Sequence, residues 1–275
     1  MLKQRIITGF FIGLCTACIL VFSGTGWVMK GVVSFLSGMA VYELFQVSGL
    51  FKHSKIFRWL FGISLIWGIG FSFLPQNYYL PVLATVFVLA MALSGWNMLK
   101  FGTYSLKKPW IIFAISLVFP ILYNSISYVR MQEQGLVYLI LILLSCFGTD
   151  TGAYFMGCAY GKHKLAPIIS PKKTIEGFIG GVVISAVIYV MVGLVLLLVF
   201  QATVSFSMLI VLGLVCGVLD QFGDLSMSAI KRNFAVKDFG AWMPGHGGVL
   251  DRFDSLLYVG PCVCLFIMWI HPLYS

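Results

Sequence analysis

Wound at 100° per residue, Gly213, Gly217, Asp220, Asp224, Ser228 and Lys231 fall within an arc of about 80° on one helical face. The two glycines let a neighbouring helix approach closely. Below them stand two carboxylates one turn apart, then a hydroxyl, then a cation. Asp220 and Asp224 repel each other unless a cation or a shared proton lies between them. Acids embedded in an apolar helix point to function; a salt bridge with a lysine of another helix is the structural alternative.

The run that follows carries Lys231, Arg232, Lys237 and Asp238, then Gly240, Gly245, His246, Gly247 and Gly248, and ends in Asp251, Arg252 and Asp254. Glycines at this density suit a backbone that approaches a ligand and turns its amides towards it. Arg252 can grip a phosphate through two parallel bonds. Asp251 and Asp254 open the last helix, where carboxylates also serve as simple caps. Acids on both sides of a basic, glycine-rich loop match the needs of a metal-assisted phosphate site, because Mg²⁺ takes one or two carboxylates and completes its shell with phosphate oxygens. A third segment adds Asp150, then Lys162 and Lys164, then Ser170, Lys172, Lys173, Glu176 and Gly177. Lys172 and Lys173 stand just before a helix, where a phosphate meets both cations and amides. The chain has no Walker A sequence, no GxSxG and no HExxH.

The elements that must hold these residues are transmembrane helices. Of 275 residues 60% are hydrophobic and 10% charged, with mean hydropathy +0.99, whereas a soluble domain carries about 25% charged residues. This excludes a soluble enzyme, a disordered chain and a disulfide scaffold; the long continuous apolar runs disfavour a membrane barrel. Breaks at Gly, Pro and charge clusters predict an all-α polytopic protein of about nine spans, near 6–23, 27–49, 58–74, 79–99, 109–129, 135–156, 174–200, 206–229 and 250–272. With those spans 16 of the 18 Lys and Arg residues fall on one side, leaving Lys30 and Arg130 for the other. Loop charge sets orientation. The expectation is therefore a multi-pass protein of the cytoplasmic (inner) membrane, with the N-terminus and the site in the cytoplasm and the C-terminus outside. The same segregation accounts for the net charge of +9, so nucleic acid is not expected as a partner. The seven cysteines lie in or beside apolar runs, Cys15 and Cys18 as a CxxC pair inside the first run with no His near it, and read as buried apolar residues. Residues 1–130 form a scaffold with few embedded charges, Glu43 being the exception. Residues 131–275 carry the catalytic site.

Ser228, Ile230-Lys231-Arg232, Lys237-Asp238, Gly240, Met243-Pro244, His246-Gly247-Gly248-Val249 and Asp251-Arg252-Phe253-Asp254 closely resemble the signature of the phosphatidate cytidylyltransferases, the CDP-diacylglycerol synthases. The stretch from Asp150 to Gly177 and the pair Tyr42-Glu43 resemble that family too. The resemblance implies an all-helical membrane homodimer in phospholipid biosynthesis that joins CTP and phosphatidic acid into CDP-diacylglycerol and pyrophosphate with Mg²⁺, a second cation being left open. It implies Asp224 and Asp251 as metal-binding acids. Lys231, Arg252 and His246 join them as catalytic residues. Asp150, Lys172, Lys173, Glu176, Ser228, Arg232, Lys237, Asp238, Gly247, Gly248 and Asp254 line the substrate. Asp220 lies outside the signature and enters as a further metal candidate on the helical-face argument alone. Three positions depart from the family pattern: Met243 for Leu, Ile or Phe, Cys158 for Arg, and Met227 for Glu. A CTP-dependent polyprenol or dolichol kinase is the nearer rival reading, and a cation-coupled transporter the more distant one.

Overall fold

In the computed structural model, which describes residues 13–14, 16–50, 55–74, 76–101, 109–243 and 247–270, almost every segment is helical. An apolar backbone in a bilayer has no water to bond with and must satisfy its amides internally, which a helix does. The helices are α1 (Gly26–Val47), α2 (Lys55–Phe71), α3 (Gln76–Leu99), α4 (Pro109–Met131), α5 (Gly135–Tyr160), α6 (Ile175–Phe200), α7 (Phe206–Asn233), the single turn α8 (Leu250–Phe253) and α9 (Leu256–Ile270). Six of them, α1 and α3 to α7, are long and apolar enough to cross a membrane. The chain is thus a polytopic helical membrane protein. The other expected spans are shorter in the described residues: Arg58–Phe71 is a short apolar helix, residues 16–22 are helical, and the rest of the first span lies outside the described residues.

Two local features differ from the sequence reading. Between α5 and α6 the chain forms a small antiparallel hairpin, β1 (Lys164–Ala166) and β2 (Ser170–Thr174), with Lys164 opposite Thr174 and Ala166 opposite Ser170. The expected last span is also divided, into α8 and α9, by a turn at Asp254 and Ser255. There the Ser255 amide donates to Asp254 Oδ1 at 2.9 Å, a local bond that competes with helix continuation.

α5, α6 and α7 pack side by side, and small residues make this possible. A Cβ built on Gly213 would lie 2.8 Å from the Ala186 Cα, and one on Gly217 2.9 Å from the Val182 Cα. A Ser145 hydroxyl bonds Ser185 at 2.9 Å, and Ser185 donates to the Gly213 carbonyl at 2.8 Å. The glycine pair read as a packing motif therefore holds α7 against α6. Helices from either side of residue 130 also interlock. Tyr123 donates to the Phe253 carbonyl at 3.0 Å, and Ser94 and Tyr258 share a bond of 2.7 Å.

Candidate active site

The site lies where the hairpin, the end of α7 and the loop into α8 meet. Thr174 opens α6 as a cap, its hydroxyl accepting from the Gly177 amide at 3.2 Å. Glu176 reaches back over the hairpin: its carboxylate accepts from the Lys162 amide at 3.1 Å and from the His163 amide at 3.3 Å, and it pairs with His163 Nδ1 at 2.7 Å. On the other flank, Arg232 donates from Nε to the Ile169 carbonyl at 3.3 Å and from Nη1 to the Val236 carbonyl at 3.0 Å. Glu176 and Arg232, both expected against substrate, hold the hairpin and the loop in this arrangement.

The hairpin inserts one lysine. Side chains alternate along a strand, so Lys172 is exposed while Lys173 turns in. Lys173 Nζ pairs with Asp224 Oδ2 at 2.7 Å, the two side chains being 18% and 30% exposed. It also donates to Gln221 Oε1 at 3.1 Å. Ser228 donates to the other oxygen of Asp224 at 3.3 Å. The structural alternative raised for Asp224, a salt bridge with a lysine from another element, is thus present, and it falls in the middle of the candidate site.

Asp251 is held more completely. Lys231 Nζ donates to its Oδ1 at 2.8 Å, and the two side chains are 11% and 3% exposed. Its Oδ2 accepts from the Phe239 amide at 2.7 Å and the Gly248 amide at 3.0 Å. The loop tightens just before it, where Met243 and Gly247 exchange two backbone bonds of 2.9 and 3.2 Å. Gly247 has φ +87° there, a conformation that glycine adopts without strain. His246 and Gly245 fall outside the described residues. Lys237, Asp238 and Arg252 are exposed.

Lys231 also lies within electrostatic range of Asp224, so both acids proposed for metal feel its charge. A carboxylate offers about four lone-pair directions; three donors leave one open on Asp251, and Asp224 would be freed by moving Lys173. Among the described residues no group of three or more His, Cys, Asp or Glu is gathered around a point. Mg²⁺, however, needs only one or two carboxylates when phosphates supply the rest. Two hard oxygen donors, each already facing a cation, fit that ion.

Three further acids of the candidate set lie on the helices α5 and α7 and at the turn between α8 and α9. Asp150 is exposed on α5 and within electrostatic range of Asp224, Lys173 and Arg252. Asp254 is buried, and Asp220 is wholly buried with neither carboxylate oxygen meeting a hydrogen-bond partner among the described residues. Thr149 Oγ1 and Gln221 Nε2 are buried in the same condition. Two residues of the site were not among the sequence candidates. Gln221 holds Lys173, and nothing in its spacing marked it. Glu43, discussed below, carried a signal in being a carboxylate within an apolar span.

A family model described as the cytidylyltransferase family matches residues 3–270. The chain is 31% identical over 279 residues to a phosphatidate cytidylyltransferase of Bacillus subtilis (strain 168), an alignment covering 100% of this chain and 99% of that protein. Phosphatidate cytidylyltransferases of Staphylococcus saprophyticus and Staphylococcus haemolyticus are 40% and 43% identical over 153 and 137 residues, covering 54% and 50% of this chain and 57% and 51% of theirs.

Proposed function

The chain belongs to the cytidylyltransferase family, and from that premise we propose that it joins CTP and phosphatidate into CDP-diacylglycerol and pyrophosphate at the membrane. The observation that carries this reading is the match along the whole chain to a bacterial phosphatidate cytidylyltransferase. A phosphate oxygen of phosphatidate attacks the α-phosphorus of CTP. The new P–O–P bond forms as the bond to the β-phosphate breaks, and pyrophosphate leaves with the electron pair. A phosphate monoester is already an anionic nucleophile, so the chemistry requires no strong general base. The difficulty lies in bringing two polyanions together, and fixed positive charge in a partly dehydrated site is the remedy. Lys173 and Lys231 supply that charge from inside the site, and Arg252 from its rim. Asp224 and Asp251 would hold Mg²⁺, which neutralises triphosphate charge when bound. A site at the end of membrane helices lets the lipid keep its tails in the bilayer while its headgroup meets CTP.

The same reading includes about nine crossings, a homodimer as the working assembly, and a cytoplasmic site and N-terminus. What supports the orientation is the segregation of 16 of 18 basic residues. In a cysteine-free background, single cysteines at 107 and 172 are expected to react with an impermeant maleimide only from the cytoplasmic side, and one at 203 only from outside. Labelling of 172 and 203 from the same side refutes the orientation of α6.

The activity itself is tested with labelled CTP offered in parallel to phosphatidate and to a polyprenol in mixed micelles. Label appearing in a CDP-lipid with release of pyrophosphate is the expected result. A phosphorylated polyprenol with release of CDP would favour the kinase, and no lipid-linked product at all would leave the transporter.

A further inference from the structure

Glu43 lies on α1, in the half of the chain that carries few embedded charges, and it is wholly buried. Its carboxylate accepts from two consecutive amides across 206 residues of sequence, Val249 to Oε1 and Leu250 to Oε2, each at 2.8 Å. Leu250 is the residue before Asp251. The loop also closes around the carboxylate from its other limb. A Cβ on Gly240 would stand 2.6 Å from Glu43 Oε1, and one on Gly248 2.6 Å from Oε2. Tyr42 adds a second attachment, its ring meeting Trp242 edge to face with centroids 6.1 Å apart. Gly248 thus sits between two acids: its amide bonds Asp251, while its α-carbon faces Glu43.

A buried carboxylate is costly unless hydrogen bonds compensate it, and a turn of four residues can be capped by a neighbouring Ser or Asp. Here the acceptor instead comes from a distant helix and binds both limbs of one loop. The segment it fixes carries Asp251, and Asp251 in turn holds Lys231.

We propose that Glu43 is a positioning residue of the transfer reaction: its carboxylate sets the two limbs Phe239–Met243 and Gly247–Asp251, and so holds the Lys231–Asp251 pair in register with the Lys173–Asp224 pair. The proposal rests on the cytidylyltransfer reading above. It assigns to the N-terminal half a direct part in shaping the site.

The test uses the full-length protein in detergent with phosphatidate and CTP, and compares Glu43→Gln, Glu43→Ala, Gly240→Ala and the double variant Glu43→Ala/Gly240→Ala. Glu133→Gln, an exposed acid placed in no part of the site, is the control. Glu43→Gln keeps the size of the side chain but sets an NH₂ against an amide donor. It is expected to lower kcat by about ten- to a hundredfold, the loss typical of a hydrogen bond to a charged group, with little change in the KM for phosphatidate. Amide exchange over residues 239–251 should quicken, the melting temperature should fall modestly because the buried amides lose an acceptor while the protein stays folded, and the control should match wild type in all readouts. Gly240→Ala should reproduce these effects, because its methyl group displaces the carboxylate. In the Glu43→Ala background that obstacle is gone, so the methyl group should add no further loss.

Wild-type kcat and exchange in Glu43→Gln overturn the proposal. So does activity that falls only in proportion to folded protein, or a full additional loss from Gly240→Ala in the Glu43→Ala background. Failure of the functional reading looks different, because the wild type would then give no CDP-lipid while exchange over residues 239–251 would still respond to Glu43.

Discussion

Asp224→Asn is expected to reduce CTP-dependent turnover by at least about a hundredfold, the scale reached when one preorganised electrostatic partner is removed from an active site, and to leave the protein folded. Its carboxylate is 30% exposed, and Lys173 keeps Gln221 as an acceptor when it is neutralised. Asp251→Asn should lose as much activity and also destabilise the protein. It leaves the Lys231 ammonium, 11% exposed, without a charged partner, and it turns an NH₂ towards either Lys231 or the amides of Phe239 and Gly248. Breaking a buried ion pair from one side costs about 3–5 kcal/mol. If both acids serve one ion, the double variant is hardly slower than either single one, as expected of residues acting as a unit. Yield, melting temperature and activity across a Mg²⁺ titration decide the matter. Substantial turnover by Asp251→Asn at saturating Mg²⁺, or activity tracking stability in both variants, defeats the metal assignment.

The second large effect separates neighbours. Lys173→Gln is expected to lower kcat/KM for CTP by about a hundredfold or more, because it removes a fixed charge where two anions must meet. Lys172→Gln should cost no more than a few-fold, on the order of a surface charge. Both residues are basic and adjacent, so bulk charge and topology are controlled. The strand places Lys173 against Asp224 and Gln221 and leaves Lys172 exposed. Equal losses from both would mean that the pair acts only as a diffuse basic patch. Equal and negligible losses would mean that Lys173 merely neutralises Asp224.

Much of the site could be read without coordinates. Asp224, Ser228 and Lys231 share a helical face by simple winding, and the structure keeps Ser228 on Asp224. The density of glycines before Asp251 announced a tight loop, and Gly247 does adopt a left-handed φ. The hairpin was not legible, because Lys164–Ala166 and Ser170–Thr174 are too short for a period and contain lysines and Pro171, poor strand formers. The last span read as continuous because no Gly or Pro stands between Leu250 and Leu257, while the structure divides it at Asp254 and Ser255, where a side-chain bond closes the turn.

Hydropathy, charge segregation and helical winding are properties of neighbouring residues, and the sequence by itself therefore determined the membrane class, the region that carries the acids, and which of them share a face. Partner choice is a different kind of quantity. Lys231 meets Asp251 across 20 residues, Lys173 meets Gln221 across 48, and Glu43 meets Val249 across 206. Such pairs form only when packed helices bring the groups together in a medium where an unpaired charge is costly. The tertiary structure alone decided that Asp251 is locked by Lys231 and two amides, that one of two adjacent lysines enters the site, and that a glutamate from the N-terminal half holds the loop. Each of these follows from close packing, which has no signature along the chain.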